Sequence, residues 1–279
     1  LVTEPIDEIA DLPEEFPVVR DPRASCYFRQ EKQGLVVGPY EAKGAQAWGL
    51  DGVDWDFDMA LLPPDIDRLE PHLEPVMERL PFAKAGISRI VSGPITHTPD
   101  GNFLVGPAPG LRNYWMCCGA SIGVCQGPGA GKVLAEWIVN GRPPMDLWDV
   151  DVRRMQSFQT NSRYLHDRSI EALGLLYAMH WPFRQVDTAR GVRRSPFHDR
   201  LADLGACHGE SGGWERPNWY APEGVKSEYV YSFSRQNWLD HSAAEHRAVR
   251  ENVGLFDQTS FAKFRLQGPG AEEVLNRVS

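Results

Sequence analysis

Apolar and polar positions alternate with a period of two at several places along the chain, and each run meets a turn signal. Residues 24–29 (Ala24, Ser25, Cys26, Tyr27, Phe28, Arg29) and 35–38 (Leu35, Val36, Val37, Gly38) flank the Gln33-Gly34 pair. Two β-type runs around a glycine-containing turn predict a hairpin. Residues 86–93 predict a further strand, residues 103–106 a short one and residues 113–119 another. Between them Pro99, Asp100, Gly101 and Asn102 predict a tight turn.

Elsewhere the period lengthens to three and four. Over residues 61–80, Ile66, Leu69, Leu73, Val76, Met77 and Leu80 fall on helical steps. Pro63 and Pro64 mark the start. Pro71 and Pro75 interrupt the pattern, which predicts two short helices rather than one. A helix is expected over residues 129–139, stopped by Asn140 and Gly141 with Pro143 and Pro144 behind them. Helices are also expected over residues 163–177 and 242–252 and from Ala271 onward, and a strand over residues 262–266. No internal repeat is visible.

Three segments differ in character: residues 1–149, residues 150–222, rich in Trp, Arg and Gly after an initial helix, and residues 223–279. The 279 residues suffice for one large domain or two to three smaller ones, and 42% hydrophobic with 24% charged is an ordinary globular balance. The net charge of -9 disfavours nucleic-acid binding, which needs a clustered basic surface. The short basic pairs, Arg153-Arg154 and Arg193-Arg194, read as solvated surface. No apolar run reaches the roughly 20 residues of a membrane helix. Residues 1–11 hold four acidic residues and no basic one, unlike a signal peptide. A chain that opens on Leu1 and closes just after a helix start reads as an excerpt of a longer protein. Its five cysteines form no CxxC pair, and an odd number argues against a disulfide framework. A reducing compartment, cytoplasm or mitochondrial matrix, fits.

The densest chemical signal is the run from Cys117 to Lys132, in which Gly119, Gly123, Gly127, Gly129 and Gly131 separate a strand from a helix. Small residues let a ligand approach the backbone, and the first turn of a helix favours anions. Neither familiar phosphate motif fits. A P-loop fails at Gln126 and Val133, and a GxGxxG fingerprint fails at Lys132 or Leu134. From spacing alone, a ligand site and a junction tightened for packing both remain open.

Other candidates read more simply. His241 and His246 are five apart, outside metal-ligand spacing, and read as a solvated helix face. No metal site is expected. Cys117 and Cys118 point to opposite faces of a strand. Cys125 suits packing against a ring better than nucleophilic chemistry. Glu215, between Trp214 and Arg216, reads as a salt bridge beside a buried tryptophan rather than a catalytic carboxylate.

Three blocks carry a resemblance. One holds Gly93, Pro94, Ile95, Thr96, His97, Thr98, Pro99 and Asp100, then Val105, Gly106 and Pro107, and the glycine-rich run ending Val133, Leu134, Ala135, Glu136, Trp137 and Ile138. The second joins residues 193–201, Arg-Arg-Ser-Pro-Phe-His-Asp-Arg-Leu, to residues 212–219, Gly-Gly-Trp-Glu-Arg-Pro-Asn-Trp. The third runs from Ala248 through Asp257 to Phe264. Along essentially its full length the chain resembles the dimethylglycine/sarcosine dehydrogenase family. That resemblance implies an α/β fold with α+β elements. A glycine-oxidase-like FAD and substrate domain with a mixed sheet, lacking its N-terminal Rossmann half, would occupy residues 1–149. A small central domain would follow over residues 150–222, and the start of a folate-binding aminomethyltransferase-like domain over residues 223–279.

It further implies FAD as cofactor, with tetrahydrofolate bound outside these residues. The expected reaction is oxidative demethylation of a small N-methylated amino acid, dimethylglycine or sarcosine, with an electron-transfer flavoprotein as a candidate acceptor and no membrane or nucleic acid involved. Gly119, Ile122, Gly123, Val124 and Cys125 would line the flavin, and the helix from Gly129 would aim its positive end at the ring. Tyr27 matches a substrate-pocket tyrosine; read alone, it is equally a packed strand residue. His97 lies in a loop near the ring and reads as an exposed turn histidine. With so much of the family's site outside these residues, the piece alone is expected to be inactive. Two rivals share parts of the pattern: a non-catalytic regulatory subunit like that of pyruvate dehydrogenase phosphatase, and a folate-dependent aminomethyltransferase.

Overall fold

A computed structural model describes residues 1–42, 45–48, 50–80, 85–178 and 184–278. The chain forms two compact units, Leu1–Ala189 and Arg190–Ser279. Both combine strands and helices, an α/β fold.

The first unit is built on a five-stranded sheet of order β2-β3-β4-β1-β5. Its strands are β1 (Val2–Thr3), β2 (Val19–Asp21), β3 (Cys26–Glu31), β4 (Gly34–Pro39) and β5 (Ile87–Arg89). The expected hairpin is β3–β4, paired from Cys26 with Pro39 to Glu31 with Gly34. Every pairing in this sheet is antiparallel, so the mixed sheet expected from the resemblance is not seen among the described residues. Alternation sorts the residues by face. Cys26 and Phe28 of β3 and Val37 of β4 point into a core completed by Ala24 and Val76. Leu35, also buried, packs with Ile6 and Ile9 from α1 (Asp7–Ala10) and the residue before it. Arg20, Tyr27 and Gly38 pair across β2, β3 and β4 on the opposite face.

Helix α2 (Glu70–Arg79) covers the core face through Val76, and the Nδ1 of His72 lies 2.9 Å from the Ala24 carbonyl. It is one helix, not two. Pro71 sits in its first turn, where a backbone N–H has no intrahelical partner anyway. The N–H missing at Pro75 would have bonded the carbonyl of Pro71 itself, so the two prolines disturb a single rung. Residues 61–69 form turns and a bridge between Leu62 and Ser92.

A second hairpin, β6 (Leu104–Pro107) with β7 (Trp115–Cys118), leads into α3 (Gly123–Asn140). Trp137 of α3 is buried against Gly106, where a Cβ would stand 2.9 Å from its ring. Its ring also meets Trp115 edge-on at 5.9 Å. Gly141 closes α3 in the left-handed region. Helix α4 (Ser162–Leu175) is capped by Asn161, whose side chain accepts from the N–H groups of Arg163 and Tyr164. The basic pair Arg153-Arg154 is not simply solvated. Arg154 is 7% exposed at its side chain and pairs with Asp100 through Nε at 2.6 Å, and Arg153 pairs with Asp151.

The second unit contains α5 (His198–Asp203), the hairpin β8 (Ala206–Ser211) and β9 (Trp214–Tyr220), α6 (Leu239–Glu251) and α7 (Ala271–Val278). Cys207, Trp219 and Ala221 form its core. His241 stacks on Trp219 with ring centroids 5.5 Å apart, so this histidine packs rather than standing in solvent, whereas His246 is exposed. The strand expected over residues 262–266 is absent: the segment is irregular and finds no strand partner among the described residues.

Candidate active-site wall

The strand-to-helix junction β7–α3 is the first candidate surface. Gly119, at φ +77, turns the chain beside Thr98, whose Cγ2 would lie 2.9 Å from an added Cβ. A side chain there would push away the 97–98 loop. Helix α3 begins at Gly123, six residues before the start expected from sequence, so Gly129 sits inside the helix and not at its positive end. The first turn instead holds Gly123, Val124, Cys125 and Gln126. Its preceding residue, Ile122, offers no side-chain cap, and no acidic residue occupies the turn. Val124 is 95% exposed, and Ile122 and Cys125 are also exposed.

The N–H groups of that turn have no side-chain acceptor at the cap, and they are ringed by small or apolar groups. An 18-residue helix gives them a substantial positive potential. A flat, largely apolar ring with a polar edge that accepts hydrogen bonds and gathers negative charge on reduction fits this set of groups. The residues present are compatible with a flavin: Gly119 and Gly123 would allow close approach, and Ile122, Val124 and Cys125 would offer apolar contact.

The second candidate surface is the sheet face that carries Tyr27. Its ring lies over Gly38, so close that an added Cβ would be 2.1 Å from Cε1. Tyr27 and Tyr40 have centroids 6.3 Å apart, Tyr40 and Tyr177 5.2 Å. The Arg20 guanidinium stands 4.3 Å over Tyr177 and donates to the Leu176 carbonyl. Ser25 fixes the start of the loop after β4 by donating to the Tyr40 carbonyl at 2.6 Å. Burial and the neighbouring Tyr27 push the Tyr40 hydroxyl above its ordinary pKa, with Arg20 opposing; burial and Tyr40 do the same at Tyr177. These two hydroxyls stay neutral and able to donate at neutral pH. Sequence reasoning singled out Tyr27 and missed Arg20, Tyr40 and Tyr177, which only the fold gathers.

His97 is half-buried, not an exposed turn residue. Both ring nitrogens are buried without a hydrogen-bond partner of ordinary geometry. Burial lowers its pKa, and the nearby Ala172 backbone and Asp100 oppose the shift. Its loop is anchored next door: the Thr98 hydroxyl donates to the Asn102 carbonyl at 2.6 Å, and Asp100 is held by Arg154. Helix α4 thus presents Ala172 to His97 and is followed by Tyr177, whose ring packs at a tilt against Tyr40. Among the described residues no cluster of His, Cys, Asp and Glu could hold a metal ion, and no helix is long and apolar enough to cross a membrane.

Three family models match successive stretches of the chain. Residues 1–137 match the FAD dependent oxidoreductase family, residues 140–195 the FAD dependent oxidoreductase central domain, and residues 197–279 the GCVT N-terminal domain. The chain belongs to the dimethylglycine/sarcosine dehydrogenase family of FAD-dependent oxidoreductases. It is 43% identical over 275 residues to 4-methylaminobutanoate oxidase (formaldehyde-forming) of Paenarthrobacter nicotinovorans, covering 93% of this chain and 32% of that protein. It is 35% identical over 283 residues to mitochondrial dimethylglycine dehydrogenase of Mus musculus, covering 100% of this chain and 32% of that enzyme. The mitochondrial pyruvate dehydrogenase phosphatase regulatory subunit of Mus musculus is also similar, 31% identical over 279 residues, 98% of this chain and 31% of that protein. The chain spans about a third of the length of the curated relatives it matches.

Proposed function

We propose that the whole protein carries out FAD-dependent oxidative demethylation of a small N-methylated amino acid, and that this chain supplies one wall of the flavin and substrate site. The observation that carries the reading is the first turn of α3. It is uncapped, free of acids and lined by Gly119, Ile122, Gly123, Val124 and Cys125, in the segment that matches the FAD dependent oxidoreductase family.

FAD would supply the two-electron acceptor, taking a hydride equivalent from the N-methyl carbon, after which the imine hydrolyses to formaldehyde and the demethylated amine. The chain's own groups do the rest. Tyr27, with Tyr40 and Tyr177 beside it, gives an aromatic surface against which the N-methyl amine would pack. Arg20 supplies a fixed cation for the carboxylate. His97, half-buried and favouring the neutral form, lines the loop next to Gly119 without adding a competing charge. Residues 197–279, which match the GCVT N-terminal domain, open the aminomethyltransferase-like part, through which the one-carbon unit would pass to tetrahydrofolate bound elsewhere in the whole protein. An electron-transfer flavoprotein suits the role of reoxidant. Five free cysteines suit a reducing compartment, cytoplasm or mitochondrial matrix.

The test is the visible spectrum of the whole protein before and after anaerobic addition of dimethylglycine, sarcosine or 4-methylaminobutanoate. Flavin bands near roughly 370 and 450 nm that bleach with one of them support the reading. A colourless protein, or a flavin that no N-methyl amine reduces, would replace it with a regulatory role like that of the phosphatase subunit.

A further inference from the structure

The second unit contains a cavity of about 400 Å³ whose lining includes Arg190, Gly191, Arg194, His198, His208 and Glu215. The proposed amine oxidation makes no use of it. Its groups are held rather than loose. Glu215 is buried and clamps Arg190, whose Nε donates to Oε1 at 2.9 Å; the Gly191 N–H donates to the same oxygen at 2.6 Å. Arg190 also donates to the His208 carbonyl at 3.0 Å. The Arg194 guanidinium folds onto Gly191, where an added Cβ would lie 2.7 Å from Nη2. Gly191 has φ +75, so the backbone itself favours the absence of a side chain there.

Charge is unbalanced in this cavity. Arg190 is neutralised by Glu215, but no ion pair forms at Arg194 among the described residues. Asp199, fully exposed, hydrogen-bonds His198 through Nδ1 at 2.9 Å and feels the charge of Arg194 only at a distance. The rings of His198 and His208 stack, with centroids 4.4 Å apart and planes at 26°. Stacked imidazoles do not converge on one metal ion. The Nε2 of His208 is buried and has no partner. A buried polar nitrogen left unpaired costs about 1–3 kcal/mol and calls for a ligand group or a water.

We propose that this cavity is a binding site for a small oxyanion, a carboxylate or a phosphoryl group. Arg194 provides the uncompensated cation and His208 a ring nitrogen to donate. Arg190, held by Glu215 and the His208 carbonyl, forms part of the fixed wall. The site is complete within the second unit and owes nothing to the flavin reading. Oxyanion binding favours the imidazolium at His208, so affinity rises as pH falls from 8 to 6. The titratable and charged groups that face this histidine are His198, Glu215, Arg190 and Arg194.

The experiment is calorimetric titration of the protein with inorganic phosphate and, separately, with glutarate, at pH 6 and pH 8. Saturable one-site binding of either anion is expected, tighter at pH 6. In Arg194→Gln it should weaken at least tenfold, and in Arg194→Lys by less, because charge is kept while the planar fork is lost. Arg89→Gln, on an exposed position of β5 in the other unit, should bind as the parent does. Phosphate alone binding would identify a phosphoryl site, and glutarate alone a carboxylate site; either supports an oxyanion site. No saturable binding of either anion, or equal binding by Arg194→Gln, would overturn the proposal.

Discussion

Tyr27 lies across Gly38, its antiparallel partner on β4, and occupies the space that a side chain there would need. Glycine at that position leaves room for the ring over the strand, with its centroid 6.3 Å from that of Tyr40. Gly38→Ala should tilt the Tyr27 ring off the strand. Overpacking of this kind costs about 1–3 kcal/mol. In the whole protein the rate of flavin reduction by the N-methyl substrate should fall by more than the melting temperature alone explains. Tyr27→Phe keeps the ring and serves as the comparison. If Gly38→Ala reduced the flavin as fast as the parent, the Tyr27 face would not be the substrate surface.

Val124 offers a test that separates helix stability from cofactor binding. It stands 95% exposed in the uncapped first turn of α3. An acid in a first helical turn stabilises the helix by about 0.3–1 kcal/mol. Val124→Asp should therefore leave the fold as stable as before or slightly more so. The same charge would repel the reduced ring and occupy the free N–H groups, so purified whole protein should carry less FAD. The measurement is the ratio of flavin to protein absorbance, with thermal melting alongside. Full flavin content in Val124→Asp would remove the α3 turn from the cofactor site.

The sequence made the β3–β4 hairpin legible because its signals are local: period-two alternation and a glycine turn. The β7–α3 junction was legible as a small-residue break, but the helix start was not. Gly127, Pro128, Gly129 and Gly131 are poor helix formers, and propensity placed the start only after Gly127 and Pro128. The burial of Ala130 and Trp137 carries the helix back through them, a tertiary effect that no window of sequence reports. The strand expected over residues 262–266 failed for the converse reason: a strand needs a partner, and composition does not supply one. The Tyr27 face was legible at one residue only. Arg20, Tyr40 and Tyr177 come from β2, the loop after β4 and the end of α4, and their proximity is a property of topology. Glu215 was readable as an ion-paired acid beside Trp214, although its partner is Arg190 and not the adjacent Arg216.

That ion pair should matter to stability. Glu215 is buried and satisfied by Arg190 and the Gly191 N–H. Removing one partner of a buried pair leaves the other uncompensated, at a cost of about 3–5 kcal/mol. Glu215→Gln keeps the shape and loses the charge. Urea unfolding of the second unit should shift to lower denaturant, with the transition of the first unit unmoved. Equal midpoints for parent and variant would show that Arg190 finds water instead.

The histidines set a pH dependence whose sign can be worked out. Burial lowers the pKa of His97 below its ordinary 6.5, and burial together with the neighbouring His198 lowers that of His208. In the unfolded chain both take up protons near 6.5, while the folded chain resists. Stability is therefore complete above the unfolded value and declines as pH falls through it toward the folded pKa of each group. Glu215 acts lower down: the Arg190 and Gly191 bonds outweigh its burial and hold its carboxyl below the ordinary 4.5. Its contribution is present above that value and is lost as pH falls through the folded pKa. Between pH 7.5 and 5 the histidine terms should dominate. Unfolding midpoints measured over that range should fall in both units. His97→Gln should flatten the decline in the first unit and His208→Gln in the second, each leaving the other unit's slope intact. A decline that persisted unchanged in both variants would assign it to other groups, and histidine C2 proton shifts titrating at or above 6.5 would contradict the depressed values directly.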